Sequence, residues 1–308
     1  MNSINTRISA GLHHFFFTPS SGRPLAFLRI GAALLALLQI VLLNSSLLML
    51  YGRHGLVQWL LSEGIISDYA LRLGWIAGWL ARWNISPDQA VMIVAGIYTV
   101  ALIALIFGLF TRGAALLSWL IHFMLTSSGF MSSYGVETFT HIALFYCVVM
   151  PVGHHFSLDA RRHGRPLFSE WYTLSVRVLQ LHLCIVYMAT GLEKAAGTQW
   201  WTGEAIWRAL MQMQFGQFDM SWLAHYTWLA RLICWGTMLL EISYPLFMFH
   251  PRLRRFGYPA IIMLHLGIGL FMGLGLFAAM MITLNTAAFW PFKERETAIA
   301  KSHLAGIH

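Results

Sequence analysis

Charge is what this sequence has least of. Asp, Glu, Lys and Arg together make up 10% of its 308 residues, and only 12 residues are acidic; a soluble domain carries roughly 25% charged residues. That scarcity excludes an extensive water-facing surface. Cysteine is scarce too. Cys147, Cys184 and Cys234 are odd in number, form no CxxC pair and lie inside apolar runs, so they read as buried fillers and imply no disulfide framework. Walker, HExxH and GxSxG sequences are missing. Gly273-Leu-Gly275-Leu-Phe-Ala278 formally fits a dinucleotide fingerprint, but no strand or βαβ unit surrounds it, and it reads as helix packing. No apolar segment near the start ends in a small-residue cleavage site, and Arg7, His13 and His14 interrupt residues 1–22, so Met1 is expected to stay with the mature protein. Without internal repeats, low-complexity tracts or polar linkers, one domain is expected over residues 1–308, with its core at about 24–290.

What the chain has instead is hydrophobic sequence, 58% of all residues. Ala90–Phe110, Gly113–Leu125 and Tyr258–Trp290 show no polar face, so their surroundings must be apolar too. The fold class that follows is all-α, a polytopic transmembrane helical bundle. With about 20 apolar residues needed per span, the candidates are Pro24–Leu50, Ala90–Phe110, Gly113–Phe130, Phe139–Val152, Trp171–Leu192 and Trp228–His250. Gly257–Trp290, interrupted by Gly267, Gly269, Gly273 and Gly275, reads as two short helices or a broken pair, for a total of about eight spans. Gly55–Trp83 mixes Glu63, Asp68, Arg72 and Arg82 with Trp59, Trp75, Trp79 and Trp83, the pattern of an amphipathic segment lying at the lipid–water boundary.

A net charge of +8 would suggest nucleic acid in a soluble protein. Here the basic residues sit at the ends of apolar runs, so the partner they imply is the lipid bilayer, and no nucleic acid. Arg7 and Arg23, then Arg112, then Arg161, Arg162 and Arg165, then Arg252, Arg254 and Arg255, and finally Lys293, Arg295 and Lys301 all fall on one side of an eight-span bundle. The positive-inside rule makes that side cytoplasmic, with both termini inside, in a multi-pass inner-membrane protein if the source is bacterial. Tyr51–Gln89, Met131–Thr138 and Glu193–Thr227 would face outward. Oligomeric state is not readable.

Ionisable residues inside apolar spans are costly, and they mark sites or pair with one another. His141, Lys194 and His265 all reach the outer half under this orientation and are expected to line one outward-facing cavity. The plainer readings are that Lys194 snorkels from a helix end and that the histidines are satisfied interface residues. Glu241 lies too far into its span to stay unpaired, and Arg29 in the first span is its expected partner, with Pro245 kinking the helix alongside. His141 and His155 have the spacing used to hold stacked haems, but no second helix repeats it. His154, His155 and His163 lack a Cys or carboxylate to complete a metal set. Neither haem nor metal is expected.

Tyr187-Met-Ala-Thr-Gly191-Leu-Glu193-Lys194-Ala-Ala-Gly-Thr-Gln-Trp200-Trp201-Thr-Gly203 resembles the signature of the vitamin K-dependent γ-glutamyl carboxylase and its bacterial relatives, the HTTM membrane family. Met150-Pro-Val-Gly-His154-His155-Phe-Ser157-Leu-Asp159 resembles the segment preceding that signature. Phe27-Leu-Arg29, Gly108-Leu-Phe-Thr-Arg112, Glu241, His265, Gly275 and Phe277 follow in the family's order. The resemblance runs from about Pro24 to Trp290 and is to the form without the animal enzyme's lumenal C-terminal domain.

The resemblance implies a reduced quinone like vitamin K hydroquinone as cofactor, with O2 and CO2 as co-substrates. In the family's carboxylase, a lysine at the place of Lys194 deprotonates the hydroquinone. Oxygen converts it to a strongly basic alkoxide, which takes a proton from a glutamate γ-carbon before CO2 adds. Such a lysine must be neutral, which a dehydrated pocket favours. A histidine at the place of His141 would hold a developing oxyanion, His265 matches another pocket histidine, and Trp200, Trp201 and Tyr187 would border the quinone. Glu193 departs from the family, replacing a basic residue beside the lysine. Three functions are therefore expected in descending order: a quinol-dependent enzyme acting on a periplasmic or lumenal substrate, a non-catalytic subunit for maturing or exporting a secreted peptide, and a transporter built on broken helices.

Overall fold

A backbone in lipid must satisfy its own hydrogen bonds, which leaves helices or closed barrels. The computed structural model describes residues 2–56, 58, 59, 64, 71–129, 134–214 and 216–291. They form helices α1 (Asn2–Phe17), α2 (Arg23–Leu42), α3 (Leu47–Tyr51), α4 (Leu73–Leu80), α5 (Pro87–Phe107), α6 (Thr111–Ser128), α7 (Gly135–Val149) and α8 (Leu158–His163). The chain continues with α9 (Glu170–Ala196), α10 (Thr198–Thr202), α11 (Glu204–Met211), α12 (Thr227–Ile242), α13 (Tyr244–Phe249), α14 (Pro251–Phe271) and α15 (Gly275–Phe289). The strand pairing among these residues is a two-residue antiparallel bridge, Ser20–Ser21 with Phe168–Ser169.

The apolar runs of the sequence become α2, α5, α6, α7, α9, α12 with α13, α14 and α15. Arg23–Leu42, Pro87–Phe107 and Glu170–Ala196 are long and apolar enough to cross a membrane, and Gly135–Val149 and Gly275–Phe289 are shorter apolar helices. Leu34, Leu38, Val100, Ile185, Leu239 and Met263 stand exposed along their sides, the apolar belt of a helical membrane bundle. In the middle lies α2, which packs against α5, α7 and α15. Its small residues Ala32, Ala33 and Ala36 are buried and allow the neighbours to approach closely.

Local chemistry sets the ends. Ser86 and Gln89 form a reciprocal cap on α5, with backbone-to-side-chain bonds of 3.2 and 2.9 Å, and Pro87 occupies the first turn where no N–H is needed. Pro245 cannot donate to the carbonyl four residues back, and the span Trp228–His250 breaks at Ser243 into α12 and α13. The last apolar block divides at Met272–Leu274, where Gly273 has φ +68°. The first span is shorter than expected, ending at Leu42 because Asn44–Ser46 takes a 3-10 turn.

Two further elements complete the bundle. Helix α1, not foreseen from the sequence, lies against α9, where Arg177 donates from Nε to Phe15 O at 3.0 Å and covers the Phe15 ring at 4.1 Å. Of the amphipathic segment, α4 packs on α5 with Trp75, Trp79 and Trp83 exposed, as a boundary helix should be. Glu63 and Asp68 lie outside the described residues.

Candidate intramembrane site

Helix α9 presents Tyr187, Thr190, Gly191 and Lys194 on one stripe, because positions three and four apart share a helix face. A Cβ at Gly191 would stand 2.8 Å from the Ile242 backbone nitrogen and 2.9 Å from Glu241 Cβ, so the missing side chain is what lets α9 and α12 touch. That contact sets Glu241 opposite Lys194. Their side chains form an ion pair, Nζ to Oε2 at 2.7 Å, with Thr190 donating to the same oxygen at 3.2 Å. Trp200 lies at the mouth, its ring centroid 5.3 Å from the Lys194 amine. Trp201 is half exposed and turned elsewhere, donating from Nε1 to Ala195 O at 2.8 Å.

Deeper in the bundle a second polar group continues the stripe. Tyr187 OH meets His265 Nε2 at 2.6 Å, Asn285 Nδ2 donates to Tyr187 OH at 2.8 Å, and Tyr244 OH donates to Asn285 Oδ1 at 2.7 Å. All four residues are buried, and the Tyr187 and Tyr244 rings stack at 4.2 Å. The proton positions can be worked out. Met281 O, which only accepts, takes a bond from Asn285 Nδ2 at 2.8 Å, so the amide nitrogen is fixed on that side. Tyr187 then accepts from Asn285, and giving its own proton to His265 Nε2 is the arrangement that leaves the fewest buried polar groups unpaired. A neutral His265 consequently carries its hydrogen on Nδ1, a buried donor with no hydrogen-bond partner among the described residues. His265 is also within electrostatic reach of Lys194.

The pairing expected for Glu241 is corrected by this geometry: its partner is Lys194. Arg29 is fully buried elsewhere and donates to the carbonyls of Leu105, Ile106 and Phe156 at 2.5, 2.8 and 2.6 Å. Those are the last carbonyls of α5 and a loop carbonyl, groups that a cation satisfies at a helix C-terminus. Gly108, with φ +64°, is confined to glycine here, since a Cβ would lie 2.7 Å from Arg29 Nη1. Asp159 takes part in the same knot, accepting from the Phe110 and Thr111 amides at 3.1 and 2.7 Å and from the Thr111 hydroxyl at 2.7 Å. The family-like segments Gly108–Arg112 and Met150–Asp159 thus meet to cap α6.

The single cavity expected for three bases is also corrected. His141 stacks on Trp119 at 5.2 Å and lies beside Phe123 and His122, all on α6. Positions two apart on a helix point about 200° apart, and Phe139 on the other side of α7 packs at 6.0 Å on Phe277, which in turn meets His265 at 5.8 Å. Aromatic rings therefore stand between the His141 and His265 groups. Beside His141 is a second polar cluster that sequence reasoning missed. Glu137 accepts from Gln39 Nε2 at 2.8 Å and from the Tyr134 amide at 2.7 Å, while His122 bridges Glu137 O at 3.0 Å and Tyr98 OH at 3.1 Å. Asn285 and Tyr244 were missed as well. The available signal for His122 and Asn285 was a strongly polar side chain within an apolar run, whereas Glu137, at a helix start beside Ser133, Tyr134 and Thr138, gave none. Glu193, a neighbour of Lys194 in sequence, is exposed and does not share its ion pair.

A helical membrane protein with a buried acid–base column at one helix interface is the class these features define. The family model for the HTTM domain matches residues 75–292, well over half of the chain, and the chain belongs to the HTTM family. No curated protein and no solved structure matches it. The match begins after α2, so Phe27-Leu-Arg29 lies outside it.

Proposed function

We propose that this protein is a membrane-embedded, quinol-dependent enzyme of the vitamin K carboxylase type, with the Lys194–Glu241 pair as its proton-handling group. The observation that carries this reading is that the pair lies within electrostatic reach of His265, whose buried Nδ1 has no hydrogen-bond partner among the described residues. A quinol head bound there would have Trp200 and Phe277 as aromatic neighbours and oxygens able to accept from His265 Nδ1. When bound, a quinol supplies an acidic hydroxyl and, with oxygen, a base strong enough to remove a carbon-bound proton.

The residues divide the work of moving one proton. As an ion pair, Lys194 cannot accept. Transfer of its proton to Glu241 across 2.7 Å would give a neutral amine beside a neutral acid without changing the net charge of the pair. The free amine would then be the group able to accept a proton from the hydroxyl of a bound quinol, its positive charge balancing the one left behind. His265 Nδ1–H would be the donor toward that quinol oxygen, its tautomer held by Tyr187, Asn285 and Tyr244. By the positive-inside rule the arginine-rich end is cytoplasmic, and Lys194 faces outward.

The test is turnover of a vitamin K-type quinol by the purified protein in lipid nanodiscs under oxygen, read as epoxide by mass spectrometry. Oxygen-dependent epoxide above a protein-free control is expected; its absence from well-folded protein would overturn the enzymatic reading. A second reading, a docking subunit for a secreted peptide, is favoured by the exposed aromatic and apolar side chains Met213, Phe218, Trp222 and Tyr226 at the same end of the bundle. It becomes the better account if no quinol is turned over.

A further inference from the structure

At the arginine-rich end, beyond the polar column, a cleft of about 560 Å³ lies under Arg112, His154, His163 and Arg165. Arg112 and Arg165 are exposed and make no hydrogen bond or ion pair among the described residues. The acid in this cleft, Asp159, is already engaged by three donors at the start of α6. Its negative charge offsets one of the two arginines, and the other leaves the cleft with a net positive charge. Their charges also act on His154, which burial, together with Arg165 and Arg112, holds below the usual imidazole range.

The cleft does not end at the polar residues. Phe110 and Gly113 line both it and a groove of about 550 Å³ between α5 and α6 whose walls are apolar, including Ile97, Val100, Ala104 and Leu117. From Ile93 to Ala104 the groove follows α5 for about 16 Å at 1.5 Å per residue, close to the half-thickness of a hydrocarbon core of about 30 Å. Gly96 and Gly113 keep it open, because a Cβ at either would meet nothing within 4 Å. A cationic pocket at membrane-surface level that runs into an apolar channel one leaflet deep has the chemistry of a phosphate ester carrying an acyl chain.

We propose that this cleft and groove bind one anionic phospholipid, its phosphate between Arg112 and Arg165 and one acyl chain along Gly96 and Gly113. The assignment is independent of the reaction at Lys194.

The purified full chain in neutral detergent is titrated with dioleoyl phosphatidylglycerol, dioleoyl phosphatidylcholine and free glycerol phosphate, reading retained lipid by native mass spectrometry and the thermal midpoint. Phosphatidylglycerol should be retained and should raise the midpoint where phosphatidylcholine does not. Arg112→Gln and Arg165→Gln should each weaken that preference about fivefold. Gly96→Leu, whose Cβ enters open space in the groove, should reduce retention of both lipids and leave the lipid-free midpoint unchanged. Equal retention of the two lipids by the wild type would overturn the proposal, as would stabilisation by glycerol phosphate matching that by phosphatidylglycerol. Unaltered phosphatidylglycerol retention in Gly96→Leu would do the same, even if the arginine variants failed to fold.

Discussion

What stands beside Lys194 sets its charge, and here that is a carboxylate. The pair can be probed from both sides. Glu241→Gln keeps a hydrogen-bonding group opposite the amine, whereas Glu241→Leu strands a cation at a helix interface; the leucine variant should be less stable than the glutamine variant by roughly 1–3 kcal/mol, measured by denaturation in detergent. Equal stability would mean that the pair contributes nothing to the fold. The tautomer argument makes its own prediction. Asn285→Leu removes the donor that commits Tyr187's proton to His265, so it should cut quinol turnover while Asn285→Gln, if it reaches, restores part of it; identical rates in wild type and Asn285→Leu would dismiss the relay. At this scale the sequence was informative about which residues are unusual but not about their partners. Lys194, His265, Glu241 and Arg29 all stood out as polar groups in apolar surroundings, and Tyr187 through the family-like motif. Which helices adjoin is not written in any one span, so Glu241 was assigned to Arg29 and His141 to the wrong cluster.

Helices meet where side chains are small, and Gly191 is the clearest case. Gly191→Ala places a methyl group 2.8 Å from the Ile242 nitrogen, a backbone atom that cannot swing aside. The variant should lose about 1–3 kcal/mol, as overpacked positions do, and should also lose turnover because α12 carries Glu241. The cap on α6 gives a pH dependence. Burial alone would raise Asp159, but bonds from Thr111 and Phe110, with His163 nearby, outweigh it and hold the carboxyl below its ordinary range. A depressed carboxylate stabilises the fold at neutral pH, and that contribution is lost as pH falls through the ordinary carboxylate range, near about pH 4, and below. Thermal midpoints of Asp159→Asn should therefore depend less on pH between about 5 and 3 than those of the wild type; parallel curves would show that the cap does not titrate with folding. The helical membrane bundle itself was legible from apolarity, although three helices among the described residues, against about eight expected spans, are long and apolar enough to cross a membrane; the break after Glu241, which Pro245 announces, was legible too. Helix α1 was not, because its mixed polar sequence has no strong period and its anchor is a long-range contact, Phe15 with Arg177.

For the molecule as a whole, the distribution of arginines orients everything else. Cysteines introduced singly on a cysteine-free background at Gln199, on α10 beside Lys194, and at Arg161, on α8, should react with an impermeant thiol reagent from opposite sides of intact vesicles, Gln199 from outside. Labelling of both from one side would reverse or abolish the proposed orientation. The fold class could be recognised before any coordinates because lipid imposes simple rules on composition and spacing, and the family from the motif around Lys194. The convergence of α9, α12, α14 and α15 into one column could not, since it depends on contacts among four separate spans.

The central claim is that Lys194 gives and takes a proton during quinol chemistry, and the most direct measurement is epoxide formation by Lys194→Arg in the same nanodiscs as the wild type. Arginine keeps a cation next to Glu241 and preserves the charge balance of the fold, yet its guanidinium stays protonated. The account predicts a thermal midpoint near that of the wild type together with loss of epoxide formation to the level of the protein-free control. Epoxide formed by Lys194→Arg at the wild-type rate would contradict it.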